Sequence, residues 1–377
     1  TYLYYAGDGN ILHLKPVQSA ALQTSFTRPY FVTPFFDYAG DDPTYKLCRD
    51  SAAVTSSYVR DDGSIDLFAH CEYRPLRADF TRAYWSIVLF RQVGSLVTPV
   101  APVVTSFDAY NPDASISYGA GLPSVVKIGD YYYLYFIDYH YSQSPAGDAA
   151  LQQTSGVVVA RALVRDASNP SAWKKYYQGN WDQPANSANP FLAGGSGKAG
   201  LASSILDGGY PSGPFSSSQA TVSYNSYAGQ YMALVGGGQA TTQGVYASFS
   251  VDGLTWTAPS LVFQLPDAYT GYAVAIDPAS GDTHSLGRSF LIVYSSRCCG
   301  LASYRSARLY PSGDVNGDGT SDAVDALCIL RSVAGLAATQ NCLTLSAAAS
   351  SAVSIARSRI SAQRLPGLAP IALCPVG

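Results

Sequence analysis

A short unit of β-strands recurs along this chain, and the repetition constrains the fold more than any other feature. Each copy has an apolar strand, a turn containing Gly or Asp, a returning strand and at least one further strand. The copies begin near residues 52, 122, 221 and 273. Short strands separated by such turn signals are typical of antiparallel meanders. The sequence therefore predicts an all-β body built from repeated meanders.

The spacing of the copies is on the scale of one propeller blade with long loops, roughly 70 residues. A hairpin over Leu3–Tyr5 and Ile11–Leu14, with the extended segment after it, supplies a fifth copy. The first strand of each copy is short and apolar without alternation, as expected for a strand buried on both sides beside a central channel. We therefore expect a five-bladed β-propeller over residues 1–311. A β-sandwich with irregular hairpins is the alternative.

Composition supports the all-β prediction. Charged residues make up 13% of the chain, against about 25% in a typical soluble domain. The chain has a single glutamate, Glu72, and 29 tyrosines. Helix surfaces usually consume Glu and Lys, whereas Tyr, Val and Thr suit strands.

Charge and hydropathy exclude two classes of partner. The net charge is -3 and basic residues are scattered, which leaves no electrostatic footprint for nucleic acid. No uninterrupted apolar stretch approaches the roughly 20 residues of a membrane span. We expect neither a nucleic-acid partner nor a membrane span.

Seven cysteines in this composition indicate an oxidising compartment, because disulfides persist outside the cytosol. The chain is therefore expected to be secreted, in the extracellular space or at the cell surface. Cys48 and Cys71 fall at nearly opposed positions of one hairpin, where a disulfide can form. Cys342 and Cys374 are candidates for tying down the C-terminal tail.

The twelve residues 314–325 have the spacing of a Ca²⁺-binding loop. Oxygen donors occupy loop positions 1, 3, 5, 7, 9 and 12, and Gly319 occupies position 6, where the loop must turn sharply. Position 7 contributes a backbone carbonyl. The predicted ligands are Asp314, Asn316, Asp318, Thr320, Asp322 and Asp325.

An apolar run at helical spacing follows this loop and ends at Gly335. The stretch from Gly313 to Leu336 resembles one repeat of a dockerin, including the use of Asp325 rather than Glu to close the loop. Dockerins are bacterial modules that fold around Ca²⁺ and bind cohesin domains on scaffolds or cell surfaces. The resemblance implies a small α-helical calcium-loop module over residues 312–377.

Dockerins carry two such repeats, and this chain has one. Residues 343–365 form a Ser- and Ala-rich, helix-like segment without Asp or Glu. Two arrangements therefore remain open: a cohesin-like or other cell-surface protein partner, or packing of the half-module against its own chain.

Two further segments carry a second resemblance. The stretch Gly121–Phe136 is similar to the strand–turn–strand opening of a blade in arabinanase-type glycoside hydrolases. The stretch Ser250–Trp256 resembles the Ser-x-Asp-Gly-x-x-Trp turn of sugar-active propellers. The resemblance implies a propeller with an Asp–Asp–Glu catalytic set.

Carboxyl groups are expected to converge at one face of such a propeller. Residues before the first strand and at the end of the second strand of each meander should meet around the axis, which brings together Asp50, Glu72 and Asp138. Glycoside hydrolysis needs one ionised and one protonated carboxyl group. A third carboxylate can raise the pKa of the acid by repulsion. The resemblance assigns the base to Asp50 and the acid to Glu72.

The same placement brings basic, aromatic and cysteine side chains to this face. Some of the residues at this face have alternative roles. Asp50 can cap a turn, Glu72 can form an ion pair with Arg74 or Arg77, and the tryptophan can belong to the apolar core. The adjacent cysteines form either a vicinal disulfide or bonds to separate partners. The candidate substrate-binding residues are Arg49, His70, Trp85, His140, Arg297, Cys298 and Cys299.

Two functions follow. The first is hydrolysis of an extracellular polysaccharide by the carboxyl set. The second is a non-catalytic surface or filament protein that binds or displays glycan and is anchored through its calcium module. The clustering of carboxyl and His groups favours the first, and the scarcity of Glu favours the second.

Overall fold

The computed structural model describes residues 3–7, 10–14, 30–31, 47–48, 51–73, 84–94, 96–105, 118–143, 149–186, 200–203, 205–206, 220–237, 244–264, 271–295, 301–310, 322–333, 359–363 and 371–372. Nearly all of this structure is β-sheet, so the all-β prediction is confirmed. The N-terminal sheet contains β1 (Leu3–Gly7), β2 (Asn10–Leu14) and β3 (Tyr30–Phe31).

Four further meanders lie where the sequence repeat predicts them. The first contains β4 (Ser51–Val59), β5 (Ile65–Tyr73), β6 (Tyr84–Val93) and β7 (Leu96–Val104). The second contains β8 (Tyr118–Ile128), β9 (Tyr131–Gln143), β10 (Ala149–Leu163), β11 (Lys174–Tyr177) and β12 (Asn180–Pro184). The third contains β13 (Ala220–Asn225), β14 (Gln230–Gly237), β15 (Gly244–Ser250) and β16 (Ser260–Gln264). The fourth contains β17 (Gly271–Ile276), β19 (Ser289–Ser295) and β20 (Leu301–Tyr310). The short strand β18 (Ser285–Leu286) precedes β19 in the chain but pairs in parallel with β13 of the third meander.

Glycines set the turns between the first and second strands. Gly63, Gly129 and Gly229 have φ angles of 80°, 59° and 64°. This left-handed region is open to Gly without steric cost. The turns fix the register in which each second strand returns along the first.

The first strands of successive meanders contact one another in chain order: β1 with β4, β4 with β8, β8 with β13 and β13 with β17. Hydroxyl groups link β4 to β8. Thr55 Oγ1 donates to the Pro123 carbonyl at 2.6 Å, and Ser56 Oγ accepts from the Val125 N–H at 2.9 Å. These bonds satisfy backbone groups that have no ladder partner on that side of the sheet.

The same device is repeated around the later meanders. Ser124 Oγ accepts from the Val222 N–H at 2.9 Å, which links β8 to β13. Thr221 Oγ1 donates to the Ala273 carbonyl at 2.5 Å, which links β13 to β17. The short apolar first strands are therefore joined by hydroxyl-to-backbone bonds rather than by sheet hydrogen bonds.

The apolar cores lie between successive meanders. One core packs Phe68 and Ile87 of the first meander against Tyr132 and Trp173 of the second. Another packs Tyr135 of the second against Val222 of the third. Because each of these cores draws on two meanders, the meanders depend on one another for burial of their apolar faces. A further core lies within the first meander and includes Leu67 and Val88.

The C-terminal part contains one described helix, α1 (Ala323–Val333), which confirms the helix predicted from the apolar run after residues 314–325. Two later strands, β21 (Arg359–Gln363) and β22 (Ile371–Ala372), pair with β20. The helix-like prediction for 343–365 is therefore wrong for 359–363. The predicted domain boundary at 311/312 falls in the chain between β20 and β21, which pair in one sheet. Within the described ranges, no helix has the length and apolar character needed to span a membrane.

Candidate functional site

The C-terminal end of β5 presents a histidine–glutamate pair. His70 Nε2 and Glu72 Oε1 are 3.1 Å apart. The two residues are two positions apart in a strand, so their side chains lie on the same face of the sheet. The Glu72 side chain is 14% exposed. Arg74 and Arg77, the alternative ion-pair partners predicted for Glu72, lie outside the described residues.

A disulfide holds this strand end, as the sequence predicts. Cys71, between His70 and Glu72, is bonded to Cys48, with the two Cα atoms 4.5 Å apart. In addition, Ser51 pairs in register with Glu72. Cys48 is therefore joined to β5 by the disulfide and Ser51 by strand pairing. In the sequence, these two residues flank Arg49 and Asp50. Those two residues lie outside the described part of the chain.

The ends of three strands and the C-terminal part of β9, which continues past the predicted end near Asp138 to Gln143, lie in one row. Glu72 of β5 pairs with Trp85 of β6, Trp85 pairs in parallel with Gly119 of β8, and Gly119 pairs with Tyr139 of β9. Asp138 precedes Tyr139 and pairs with Ala120. Glu72, Trp85 and Asp138 therefore belong to the same edge of one continuous sheet.

His70 is enclosed by its neighbours. The Trp85 ring lies edge-on, with ring centroids 5.4 Å apart. On another side is the backbone of Gly121, where an added Cβ would fall 2.3 Å from His70 Nδ1. Within the described structure, Nδ1 has no hydrogen-bond partner. Gly121 is needed here because any larger residue would displace the imidazole ring.

Asp138 is sealed in a buried ion pair. Its Oδ2 accepts from Lys175 Nζ at 2.8 Å, and the two side chains are 1% and 0% exposed. Lys175 Nζ also donates to the Gly200 carbonyl at 2.9 Å. Buried charges are tolerated when they are paired and hydrogen-bonded. Lys175 is not among the predicted site residues. The sequence signal for it is the pair Lys174-Lys175 in a short strand, where alternation directs one of two neighbours inward.

A second buried carboxylate, Asp66, lies at the opposite end of β5. Its oxygens accept from Arg60 Nη1 at 2.9 Å, Arg91 Nε at 2.8 Å and the Tyr132 hydroxyl at 3.0 Å. Burial, together with the Asp66 charge, raises the pKa of Tyr132 above its ordinary value. With two cations and one hydroxyl as partners, Asp66 is a structural anchor remote from the Glu72 edge.

The Ser250–Trp256 turn has a self-contained hydrogen-bond pattern. Ser250 Oγ accepts from the Gly253 N–H at 2.8 Å, and Asp252 Oδ1 accepts from the N–H groups of Leu254 and Thr255 at 2.8 and 2.7 Å. Burial alone would raise the pKa of Asp252, but the hydrogen bonds from Thr255 and Leu254 hold it below its usual value. The Gly253 carbonyl accepts from the buried Tyr135 hydroxyl of β9 at 2.9 Å, which docks the turn on the second meander.

Several predicted site residues lie beyond what the structure describes. The backbone of His140 belongs to β9, opposite Gln152, but its side chain is not described. Asp325 lies in α1, and its side chain is likewise not described. The other predicted residues outside the described part are Arg297, Cys298, Cys299, Asp314, Asn316, Asp318 and Thr320.

Asp322 is the one predicted calcium ligand with a described side chain. It caps α1: its Oδ1 accepts from the Val324 N–H at 2.8 Å, and its carbonyl accepts from the Ala326 N–H at 3.2 Å. Among the residues that the structure describes, no group of three or more His, Cys, Asp or Glu is placed to hold a metal.

No protein-family model and no curated protein matches this chain. The similar solved structures include glycoside hydrolases. A family 117 glycoside hydrolase from the marine bacterium Zobellia galactanivorans is 14% identical with a TM-score of 0.40, over 75% of this chain and 64% of that one. A structure described as a glycoside hydrolase is 14% identical with a TM-score of 0.39, over 71% of this chain and 48% of that one.

A third similar structure comes from the GH130 family of mannoside phosphorylases, which contains glycoside hydrolases that target β-1,2 mannosidic linkages in Candida mannan. It is 13% identical with a TM-score of 0.39, over 75% of each chain. The chain thus spans less than two thirds of the length of some of these proteins and three quarters of others. At TM-scores this low, the similarities assign no function and no residue to this chain.

Proposed function

We propose that this protein is a secreted, carbohydrate-active β-propeller that hydrolyses glycosidic bonds in an extracellular polysaccharide. The observation that carries the proposal is the pair of His70 and Glu72, 3.1 Å apart. The pair stands at a sheet edge shared with Trp85 and the end of β9. A carboxylate held by a hydrogen bond beside an indole suits a sugar ring, because aromatic faces pack against apolar surfaces while their polar edges remain available for hydrogen bonds.

The two carboxyl groups that flank the scissile bond are, in this proposal, Glu72 and Asp50. The attachment of Cys48 and Ser51 to β5 supports the nearness of Asp50 to Glu72. The separation of the two carboxyls decides the stereochemical outcome: about 5–5.5 Å for retention and about 6.5–9.5 Å for inversion. Arg49, His140, Arg297, Cys298 and Cys299 are proposed to line the substrate site.

Asp138 takes a supporting role in the proposal. At 1% exposure and 2.8 Å from Lys175 Nζ, its carboxylate is committed to an ion pair. Exchanging a proton with substrate would leave the Lys175 charge buried without its counter-ion, which is costly. We therefore assign Asp138 to holding the end of β9 rather than to reacting with the sugar.

Two features support the five-bladed arrangement. The first strands of the N-terminal sheet and the four meanders contact one another in chain order, as strands around one axis do. Hydroxyl bonds also join four of them at the same level, from Thr55 and Ser56 to Ala273. In this arrangement the β1–β3 sheet is the fifth blade.

The calcium module is proposed to anchor the protein. Its ligands are Asp314, Asn316, Asp318, Thr320, Asp322 and Asp325, and a bound Ca²⁺ supplies the charge that draws these oxygens into one loop. On α1, the apolar residues Val324, Leu327 and Leu330 are 40%, 55% and 65% exposed. A cohesin-like or other cell-surface partner is the proposed occupant of that face.

The Cys48–Cys71 disulfide and the disulfide-bonded Cys328 support an exported protein.

A non-catalytic glycan-binding or filament protein is the second candidate. It is favoured by the low exposure of both described carboxylates, 14% for the Glu72 side chain and 1% for that of Asp138. A binding protein needs no proton exchange at these groups, whereas a hydrolase requires that substrate reach at least one of them.

Activity and binding assays separate the two candidates. Wild type, Glu72→Gln and the control Asp61→Asn are tested for reducing-end release and for retention on plant and bacterial polysaccharides. Asp61 is exposed in the β4–β5 turn, at the opposite end of the hairpin from Glu72. For a hydrolase, Glu72→Gln should lower release at least about 100-fold while binding persists. Unchanged release would remove Glu72 from the reaction, and binding without release in the wild type would establish the second candidate.

A further inference from the structure

His70 is a buried histidine whose surroundings leave its two ring nitrogens in different states. The residue is 7% exposed. Its register partners on the neighbouring strands are Ala53 and Ile87, which carry no charge. Trp85 and Gly121 cover the ring, also without charge. Among the described residues, the titratable group in contact with the imidazole is Glu72 alone.

The two ring nitrogens differ in their partners. Nε2 lies 3.1 Å from Glu72 Oε1. Nδ1 is buried against the Cα of Gly121 and lacks a hydrogen-bond partner in the described structure. A neutral imidazole carries its proton on one nitrogen only, and the hydrogen bond made by the other nitrogen selects which.

Placing the proton on Nδ1 is unfavourable at this site. A buried N–H would then point at a C–H group with no acceptor, and the lone pair of Nε2 would face a carboxylate oxygen. Protonating both nitrogens restores the bond to Glu72 but still buries an N–H without an acceptor. The neutral Nε2–H form donates to the carboxylate and leaves the Nδ1 lone pair facing the Gly121 backbone, where only a weak C–H contact is available. No N–H group is then buried without an acceptor.

We propose that Gly121 and Trp85 lock His70 as the neutral Nε2–H tautomer, a positioning residue whose fixed N–H keeps Glu72 ionised. This inference rests on the proposed function for its meaning in catalysis. In glycoside hydrolysis one carboxyl group is ionised and the other is protonated. Glu72 is then the ionised member, and Asp50 is the member that donates the proton. The roles are the reverse of those implied by the arabinanase resemblance.

The tautomer is measured without any substrate. The chain has four histidines, so ¹⁵N-histidine labelling gives a small set of ring signals, and the spectrum of His70→Gln identifies those of His70. We expect Nε2 in the protonated range and Nδ1 in the unprotonated range at pH 8. A neutral ring with its proton on Nδ1 would overturn the proposal.

The charge of Glu72 is also measured directly, because it is the single glutamate. Glutamate labelled with ¹³C at the side-chain carboxyl gives one side-chain signal whose pH titration reports this residue. Removing the donor with His70→Leu should move the titration up by about one pH unit, because a hydrogen bond to a carboxylate favours its ionised form. His70→Gln, whose amide can still donate, should move it much less. Equal titration in wild type and His70→Leu would refute the proposed donor.

Glycine substitutions test the enclosure. Gly121→Ala places a methyl 2.3 Å from His70 Nδ1, whereas Gly287→Ala meets nothing closer than 3.7 Å. We expect Gly121→Ala to raise the titration of Glu72 as His70→Leu does, and Gly287→Ala to leave it unchanged. If Gly121→Ala fails to fold, His70→Leu decides the outcome alone. A folded Gly121→Ala with wild-type titration would show that Gly121 does not fix the ring.

The pH profile of kcat/KM then decides the catalytic role. If Glu72 is the ionised member, His70→Leu moves the acidic limb to higher pH. If it is the acid, the alkaline limb moves instead and the role reversal is wrong. Absence of activity in every variant including the wild type would refute the proposed hydrolysis, while the NMR titrations would still decide whether His70 holds Glu72 ionised.

Discussion

Lys175 and Asp138 form an ion pair that is removed from solvent on all sides, with Nζ 2.8 Å from Oδ2 and side-chain exposures of 0% and 1%. The lysine also reaches the Gly200 carbonyl. One ammonium group therefore joins β9, the short strand β11 and the segment that begins at Gly200. Of these elements, β9 belongs to the row of paired residues that includes Glu72, so the pair fixes one member of that row.

Lys175→Met should be strongly destabilising because it leaves the Asp138 charge buried alone. Removing one partner of a buried pair costs about 3–5 kcal/mol. Urea unfolding of Lys175→Met measures this loss, and Lys174→Met, at the more exposed neighbouring position, is the matched control. Adding Asp138→Asn to Lys175→Met should recover part of the loss. Equal stability of Lys175→Met and Lys174→Met would contradict a buried charge pair.

Replacing both Cys48 and Cys71 with serine should destabilise the protein by about 3 kcal/mol, because the crosslink restricts the unfolded chain. The bonded residues are 23 positions apart. Unfolding of the double variant and of wild type, with and without reductant, measures the effect. Reductant should affect the double variant less than the wild type. If the double variant also retains full hydrolysis, the disulfide does not position Asp50.

Asp252→Ala should destabilise the Ser250–Trp256 turn in a pH-dependent way. The folded-state pKa of Asp252 is lowered by the N–H groups of Thr255 and Leu254. A lowered pKa contributes stability above the unfolded pKa of about 3.9, and this is lost as the pH falls through the folded value. The difference in Tm between variant and wild type should therefore shrink below about pH 4. Asp61→Asn serves as the control, and a difference independent of pH would contradict the ionised cap.

Asp314→Ala should lower Tm when Ca²⁺ is present and leave it unchanged when the ion is chelated. Binding to the native state alone stabilises by about 2.7 kcal/mol at a ligand concentration 100 times Kd. Thermal unfolding of wild type and variant, each with Ca²⁺ and with chelator, gives the four values required. Identical Tm values for both proteins under both conditions would contradict Ca²⁺ binding by residues 314–325.

The strands of the repeated meanders were predictable because local chemistry marks them. Turn glycines such as Gly63 and Gly129 delimit apolar runs, and the structure has strands on both sides of each. The Cys48–Cys71 bond was predictable for the same reason, since a hairpin with a known turn fixes which residues oppose each other. Helix α1 followed from its apolar spacing and from the helix stop at Gly335.

Other elements escaped sequence reasoning because distant partners create them. Strand β7 contains Pro99 and Pro102, which argue against a strand, yet both are accommodated at the sheet's edge opposite β6. Strand β21 comes from a Ser- and Ala-rich segment whose composition favours a helix. Its extended form is set by pairing with β20. Such pairing is tertiary, and no local pattern specifies it.

The convergence of Asp50, Glu72 and Asp138 around a propeller axis stays a prediction. The register of β5, β6, β8 and β9 puts Glu72 and Asp138 in one row of a single sheet. The contacts of Lys175 with Asp138 and of Gly121 with His70 were not predicted. Both contacts join residues far apart in the chain, so they depend on how the strands pack.

The pairing of β20 with β21 bears on how α1 and the predicted calcium loop are attached to the body. They lie in the chain between Tyr310 and Arg359, which are register partners on these two adjacent strands. The segment is thus an insertion between two paired strands. A pull exerted on α1 would load both strands together, whereas a tail joined at one end would load a single strand.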